Sequence, residues 1–310
     1  MTKKILDQII EDIKKPLDNI GIFYRIYSRS KHITSIKAKI AHAQNKNDPY
    51  GEISKKNGKL KKMQDLFGIR IVLYFADDIK IVHKILSSIF FERKEDSETH
   101  DLEGVAYRDT FKPVRYNIIY NIPEKYDFSI KSLPNDIDYE KFIDSTFEVQ
   151  IRTTLSEGWY EVEHDLRYKN QDDWETHDTE WRQLNGILAA LETNDWAMIQ
   201  IFGTLAHKLY HEHAWVAMLR LKLRIRINTQ NNLSEEIVNL FNQDNNLAKK
   251  FIRFDRSLMI EEMNKRGFYY PLCLDNIVYF INLIDTEPNE KLLQMTPDIM
   301  KDEMQTKTTN

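Results

Sequence analysis

Residues 28–39 hold the side chains in this sequence that best suit a chain of phosphates. The segment reads Ser-Arg-Ser-Lys-His-Ile-Thr-Ser-Ile-Lys-Ala-Lys. Arginine and lysine neutralise phosphate oxygens, and a serine hydroxyl can donate a hydrogen bond to them. Because Arg29, Lys31, Ser35 and Lys39 lie close together in the chain, we predict that they converge on a triphosphate.

A second group of polar side chains follows the alternation of a predicted strand over residues 146–152. Residues i, i+2 and i+4 of a strand share one face of the sheet. One face of this strand would therefore carry Phe147, Val149 and Ile151, and the other Glu148, Gln150 and Arg152. An acid, an amide and a base in a row indicate either a functional surface or a ladder of charge pairs on an open sheet.

Three more segments place polar residues at the ends of predicted elements. Asp65-Leu-Phe-Gly-Ile-Arg70 enters a buried strand, and Phe111-Lys-Pro-Val-Arg-Tyr116 enters another. The strand over 146–152 is followed by Trp159, where a helix is expected to start, and then by Glu163, His164, Tyr168 and Lys169.

The elements that must position these residues can be read from hydrophobic periodicity. The first part of the chain predicts helices over 4–20 and 24–43, an exposed loop over 44–58, a strand over 68–75, a helix from Asp77 to Ile89, and strands over 116–122 and 146–152. The later part predicts helices over 181–209 and from Ser234 and Asp255, while 221–227 is either a strand or the basic end of a helix. The fold class is therefore α+β, with a helix-flanked sheet followed by a mainly α-helical C-terminal region. We expect domains at 1–172 and 173–287 and a polar, flexible tail at 288–310.

Composition excludes several classes of protein. The chain has 310 residues, 42% of them hydrophobic, which is enough for one large or two modest cores. It has neither a signal peptide nor an apolar run of about 18 residues, so we expect a soluble, cytoplasmic protein without a membrane partner. Cys273, the single cysteine, rules out an internal disulfide or a thiolate metal cluster. The sequence contains no GxGxxG and no GxxxxGK[ST] motif, so any nucleotide would be held without a glycine cradle.

The net charge of -4 conceals two opposite charge runs. Residues 36–62 contain eight lysines and two acids, and residues 161–180 contain eight acids and two basic residues. The basic run either forms a solvated face or attracts a polyanion, and the phosphate-binding side chains beside it favour the second interpretation.

In their order and spacing, these segments resemble the synthetase domain of the RelA/SpoT family over residues 20–170. The matching patterns are S-R-x-K-x-x-x-S-I-x-x-K, D-x-x-G-x-R, E-V-Q-I-R-T and W-x-x-x-E-H-x-L-x-Y-K. Enzymes of this family move pyrophosphate from ATP to the 3′-hydroxyl of a guanine nucleotide. The resemblance implies a nucleotidyltransferase-like mixed sheet, ATP as the donor and Mg²⁺ as the cofactor.

The resemblance also implies roles for individual residues. Asp65 and Glu148 would hold Mg²⁺, with Glu148 as a possible base, and Arg29 and Arg70 would sandwich the donor adenine. Lys31, Ser35 and Lys39 would bind the donor phosphates. Tyr116 would stack on the acceptor base near Gln150, with Arg152 and His164 also on the substrate side.

The sequence departs from the family on the acceptor side. The usual pattern P-N-G-Y-R-S-L-H is here Pro113-Val-Arg-Tyr116-Asn-Ile-Ile-Tyr120, and Glu157 stands where many members have Asn or Asp. Loss of the glycine before Tyr116 changes how that loop can approach a ligand.

Three functions therefore stay open. The leading prediction is a pyrophosphokinase acting on GDP or GTP. The alternatives are a toxin that pyrophosphorylates the 3′ CCA end of tRNA, which the lysines at 46–62 and the basic 222–226 stretch would suit, and an inactive nucleotide-binding regulator. The helical C-terminal region would suit a second copy of the chain or an antitoxin.

His207 and His211 lie one helical turn apart in His-Lys-Leu-Tyr-His-Glu-His. The chain has no HExxH motif, so the sequence alone favours an ordinary surface role for these residues over a metal site.

Overall fold

The computed structural model describes residues 2–44, 55–56, 59–60, 62–100, 114–130, 138–227 and 233–306. Contacts between residues divide the chain into two units. The first comprises Met1–Ile13, Tyr24–Tyr74 and Leu86–Glu192, and the second comprises Lys14–Phe23, Phe75–Ile85 and Thr193–Asn310. The two units interleave along the sequence, and the proposed domain boundary near residue 172 stays a prediction.

A five-stranded mixed sheet forms the centre of the first unit. Its strands are β1 (Tyr24–Ser30), β4 (Phe67–Leu73), β5 (Glu98–His100), β6 (Arg115–Asn121) and β7 (Thr146–Thr153), in the spatial order β1-β4-β7-β6-β5. β4 and β7 run parallel, and the other neighbours are antiparallel. Two short strands, β2 (Lys55–Lys56) and β3 (Lys59–Leu60), pair separately. This arrangement confirms the mixed sheet that the sequence predicts.

Register decides which side chains share a face of the sheet. Gly68 pairs with Glu148 and Arg70 with Gln150, so the polar row of β7 continues onto β4. The other face is apolar and buried, and its members include Phe67, Ile69, Ile71, Ile118, Phe147, Val149 and Ile151. The alternation of β7 predicted from the sequence is therefore confirmed, with Glu148, Gln150 and Arg152 on one face.

One predicted helix of the first unit is wrong over its first nine residues, 24–32. Residues 24–43 form the strand β1 followed by α2 (Ile33–Gln44). The periodicity of Ile33, Ile36 and Ile40 does belong to a helix, but Ile26 belongs to the strand. Because β1 lies at the sheet edge and is mostly exposed, it shows little of the alternation that identifies strands.

The helix α4 (Thr154–Leu166) begins directly after β7, earlier than the predicted start near Trp159. A capping box between Thr153 and Ser156 defines its first turn. Trp159 donates a hydrogen bond from Nε1 to the Leu184 carbonyl at 2.8 Å, and Leu188 packs in the same cluster. These contacts fix α4 to the first part of α5 (Asp178–His211).

The remaining helices lie in the second unit or span the two. Those that span are α1 (Thr2–Asn19), α3 (Asp78–Ile89) and α5. The second unit contains α6 (Trp215–Leu223), α7 (Glu235–Gln243), α8 (Asn245–Arg253), α9 (Arg256–Lys265), α10 (Leu274–Ile284), α11 (Glu290–Met295) and α12 (Asp298–Thr306). Asp255 caps α9 as predicted, accepting a hydrogen bond from the Ser257 amide at 2.8 Å. Within the stretch 221–227, residues 221–223 are the end of helix α6, which stops where Arg224 turns left-handed, and residues 224–227 are neither helix nor strand.

The predicted polar, flexible tail is wrong for residues 290–306. This part of the chain forms α11 and α12, which bury Leu292 and Met300. Polar and charged residues dominate this stretch and suggested a tail, but Leu292, Met295, Ile299 and Met300 recur at helical spacing. Within the described part of the chain, no helix combines the length and apolarity needed to cross a lipid bilayer.

Candidate functional site

Two lysines from the predicted phosphate-binding segment converge on Asp65. Lys31 Nζ forms an ion pair with Asp65 Oδ2, and Lys39 Nζ lies 3.6 Å from Asp65 Oδ1. The backbone places these groups, because the Lys31 amide donates a hydrogen bond to the Leu66 carbonyl at 2.9 Å. Ser35 lies on the exposed side of α2.

The environments of Asp65 and Glu148 push their pKa values in opposite directions. Burial by itself raises the pKa of Asp65, but the charges of Lys31 and Lys39 outweigh it and hold that pKa below its ordinary value. Burial also raises the pKa of Glu148, and the negative charge of Asp65 adds to that rise, while a hydrogen bond with Gln150 and the charges of Arg29 and Lys31 offset part of it. When the pKa values of two neighbouring carboxylates shift in opposite directions, the group with the lower pKa usually stays ionised and the other one exchanges a proton.

The same two carboxylates suit a magnesium ion. Asp65 Oδ1 is buried and has no hydrogen-bond partner among the described residues. A buried carboxylate oxygen without a hydrogen-bond partner favours a bound cation, and Mg²⁺ prefers carboxylate oxygens as ligands. Asp65 and Glu148 therefore fit the group that the resemblance implies.

A cleft of about 340 Å³ lies on the polar face of the sheet and is called here the first cleft. Its lining residues are Tyr27, Ser28, Arg29, Gly68, Ile69, Arg70, Glu148, Gln150, Arg152, Glu161, His164, Asp165 and Lys169. Arg29 lies over Gly68, where an added Cβ would be 3.6 Å from the arginine Cγ. The structure thus brings Arg29 and Arg70 into one cleft together with Glu148.

Two acids of α4 hold Arg70, and the sequence did not predict this pairing. Arg70 Nη1 donates a hydrogen bond to Glu157 Oε1 at 2.7 Å and also pairs with Glu161. The other oxygen of Glu157 accepts a hydrogen bond from Arg152 Nη1 at 3.2 Å. Glu157 therefore bridges one arginine from β4 and one from β7. Glu157 and Glu161 are one helical turn apart, so both lie on one face of α4. This spacing is the sequence feature from which a pair of acids facing a common partner could have been predicted.

Arg152 is held from three sides on the polar face. Besides its bond to Glu157, it donates a hydrogen bond from Nη2 to Gln150 Oε1 at 2.8 Å. Its guanidinium carbon also lies 4.2 Å from the ring centre of Tyr160, in a cation–π contact. These contacts orient Gln150 as well as Arg152.

A second cleft, of about 330 Å³, lies beside the first. It is lined by Val114, Arg115, Tyr116, Asn117, Ile151, Arg152, Tyr160, Glu163, His164, Arg167, Tyr168 and Gln171. Arg152 and His164 line both clefts. The His164 ring stacks on Tyr168 at 5.7 Å between centroids, so α4 presents the imidazole at the boundary between the clefts.

The structure does not bring Tyr116 and Gln150 to the same face of the sheet. Gln150 pairs with Asn117, whereas Tyr116 pairs with Ile151 and is buried. Tyr120, which replaces the family histidine, is fully buried and lies in an aromatic cluster with Phe90 and Phe147. The expectation that Gln150 sits on one face near Tyr116 is therefore wrong, because adjacent residues of β6 point to opposite sides.

Some predicted positions lie outside the described residues. These are residues 111–113 of the acceptor segment and, from the lysine run, Lys46 and Lys61. Lys62, at the end of that run, donates a hydrogen bond to the Glu140 carbonyl at 2.6 Å.

Part of this chain is similar to known proteins. Residues 28–173 match the family model described as "Region found in RelA / SpoT proteins". Residues 28–173 are a RelA/SpoT region. This region contains Asp65 and every residue that lines the first cleft except Tyr27.

Relatives of the RelA/SpoT region include proteins of assigned activity. GTP pyrophosphokinase YjbM of Bacillus subtilis (strain 168) is 28% identical over 172 residues, which cover 52% of this chain and 69% of that protein. The crystal structure of small alarmone synthetase 1 from Bacillus subtilis is 24% identical, covers 65% of this chain and 94% of its own, and has a TM-score of 0.40. The same synthetase bound to its product pppGpp is 20% identical, covers 66% and 94%, and has a TM-score of 0.42.

Proposed function

We propose that this protein transfers the β,γ-pyrophosphate of ATP to the 3′-hydroxyl of GDP or GTP. The observation that carries the proposal is the pair Asp65 and Glu148, whose pKa values are shifted in opposite directions beside a cleft lined by arginines. A protein that only bound nucleotides would gain nothing from placing two carboxylates beside a phosphate chain, because like charges repel. The activity of YjbM supports the same reaction.

The first cleft would hold the donor ATP. Arg29 and Arg70 would stack on the two faces of the adenine, since planar guanidinium groups stack well on planar bases. Lys31 and Lys39 would neutralise phosphate oxygens, with a hydrogen bond from Ser35. Both lysines already surround Asp65, so the donor phosphates would meet a cationic site assembled before binding.

Asp65 and Glu148 would hold Mg²⁺, which supplies positive charge to the phosphate oxygens when it is bound. Glu148 would accept the proton from the acceptor 3′-hydroxyl, and its raised pKa makes it a stronger base than an ordinary glutamate. The freed oxygen would attack the β-phosphorus of ATP. The bond from that phosphorus to the oxygen bridging to the α-phosphate would break, and AMP would leave with the electron pair.

The second cleft would receive the guanine nucleotide. Its cations are Arg115, Arg152 and Arg167, which suit a di- or triphosphate. His164 borders both clefts and would lie beside the groups that react. Tyr116 borders this cleft as well, and its stacking role stays a prediction from the resemblance.

The described residues give little support to tRNA as the acceptor. Tyr120 lies in the core, so its replacement of histidine does not alter a ligand contact directly. Arg224, from the basic 222–226 stretch, is mostly buried and forms an ion pair with Asp77. The toxin function, the antitoxin partner and the cytoplasmic location stay predictions.

The test is a label-transfer assay with γ-³²P-ATP and Mg²⁺. Separate reactions would contain GDP, GTP or deacylated tRNA as acceptor. We expect label on the guanine nucleotides and none on tRNA, and we expect Asp65→Asn and Glu148→Gln to lower transfer by at least about 10²-fold while their far-ultraviolet spectra stay unchanged. Asp138→Asn, which replaces an exposed acid outside both clefts, is the control and should keep full activity.

Label on tRNA alone would refute the proposed acceptor. Label on no acceptor would favour the regulator. Full activity in either Asp65→Asn or Glu148→Gln would refute the assignment of the site.

A further inference from the structure

Two imidazole rings converge near the end of α5, in the second unit. His207 and His211 lie one turn apart, and their Nε2 atoms are 3.3 Å from each other. The ring centroids are 4.8 Å apart and the ring planes meet at 87°. Both side chains are exposed, so solutes can reach the two nitrogens from solvent.

The separation of these nitrogens matches that of two ligands on one metal ion. Zinc binds imidazole nitrogen at about 2.0–2.1 Å, and tetrahedral geometry then places two such nitrogens about 3.3–3.4 Å apart. We propose that His207 and His211 form a two-histidine chelate for a divalent transition metal such as Zn²⁺. The proposal is independent of the pyrophosphokinase function.

Neighbouring contacts orient the two rings before any metal binds. The His207 ring stacks on Tyr210, with 6.2 Å between centroids and 15° between planes. Tyr210 is itself buried and donates a hydrogen bond to the Asn245 carbonyl at 3.2 Å. The chelating pair therefore rests on an anchored ring, which lowers the entropy lost when a metal fixes both imidazoles.

The position on the helix also favours a cation. His207 and His211 lie in the last turns of a helix of 34 residues, where the carbonyl ends carry partial negative charge. The described residues offer no group of three or more His, Cys, Asp or Glu side chains suited to a metal. Two coordination positions would accordingly be filled by water or by an outside ligand.

A hydrogen bond between two neutral imidazoles would give the same distance without a metal. The two explanations differ in what they predict for metal affinity. A chelate needs both nitrogens, so loss of either histidine should remove most of the affinity, whereas a hydrogen-bonded pair gives no metal affinity to lose.

The test uses the metal-free full-length protein and Zn²⁺, with binding followed by isothermal titration calorimetry. We expect one Zn²⁺ at this site, and at least a tenfold loss of affinity in both His207→Ala and His211→Ala. The control is His213→Asn, because His213 stacks on Trp215 outside the pair and asparagine tolerates its left-handed backbone at φ 57°. Zn²⁺ should also raise the thermal midpoint of the control but not of the two alanine variants.

Absence of Zn²⁺ binding in the unaltered protein would overturn the proposal. So would binding that survives either alanine substitution, or a loss in His213→Asn as large as in the alanine variants. Pyrophosphate transfer is measured separately, so failure of the metal site would leave the proposed function standing.

Discussion

Lys31 and Lys39 both form ion pairs with Asp65. We expect the two pairs to contribute very different amounts to the free energy of unfolding. The side chains of Lys31 and Asp65 are 19% and 27% exposed, whereas that of Lys39 is 55% exposed and its Nζ lies 3.6 Å from the carboxylate. Two unit charges at about 4 Å attract by about 4 kcal/mol near a protein surface, and desolvation offsets part of this. We expect a coupling free energy of about 1–3 kcal/mol between Lys31 and Asp65. For Lys39 and Asp65 we expect at most about 0.5 kcal/mol, as for other exposed pairs.

Two double-mutant cycles measure these couplings. The variants are Lys31→Met, Lys39→Met and Asp65→Asn, singly and in the two pairs, with the free energy of unfolding taken from urea denaturation at pH 7. Tryptophan fluorescence and circular dichroism must give coincident transitions for the cycle to be valid. A coupling for Lys39 as large as that for Lys31, or a negligible coupling for Lys31, would refute the reasoning.

The pH dependence of the same cycle provides an independent check. The pKa of Asp65 is lower in the folded protein than the ordinary aspartate value of about 3.9. A group with a depressed folded pKa contributes stability that is present above its unfolded pKa and is lost as the pH falls through its folded pKa. We therefore expect the coupling between Lys31 and Asp65 to persist at pH 5 and to decline once the pH falls below about 3.9. A coupling that stayed constant throughout this acid range would contradict an ionised Asp65 as its source.

Two further predictions concern the polar face of the sheet. If Glu148 is the base, the rate of transfer should rise with pH through a midpoint above the ordinary glutamate value of about 4.3, because burial raises its pKa. Glu148→Gln should lower the rate by about 10²–10⁴ and remove that pH step, and a step kept in the variant would assign it to another group. Glu157→Gln should lower the free energy of unfolding by about 1–3 kcal/mol, because Glu157 is 16% exposed and bridges two arginines. Glu161→Gln should cost less than about 1 kcal/mol, because Glu161 is 54% exposed, and equal losses in thermal unfolding would contradict this difference.

Prediction from sequence succeeded where a structural rule acts over a few neighbouring residues. The alternation of Glu148, Gln150 and Arg152 depends only on the pleat of one strand, and the structure confirms it. The helix beginning after Asp77 and the cap at Asp255 are likewise local features. The same approach failed for β1, because an exposed edge strand has little apolar periodicity to detect.

Prediction failed where the outcome depends on residues far apart in the chain. The carboxylate that holds Arg70 comes from Glu157, 87 residues later in the sequence. Whether Tyr116 shares a face with Gln150 depends on the register of β6 against β7, and a shift of one residue would reverse the answer. The spacing of Glu157 and Glu161 places both acids on one helix face, but no local pattern shows that Arg70 is their partner or which register β6 adopts.

The sequence by itself determined the chemical groups and their order. Arginines and lysines for phosphates and the polar row of β7 follow from residue type and short-range spacing, whereas a cation at Asp65 and Glu148 is what the resemblance to the RelA/SpoT family implies. Only the tertiary structure decided which of these groups meet, how buried they are and how their pKa values shift. Those properties arise from packing and strand register, which join distant segments and so depend on the whole fold rather than on any local stretch of sequence.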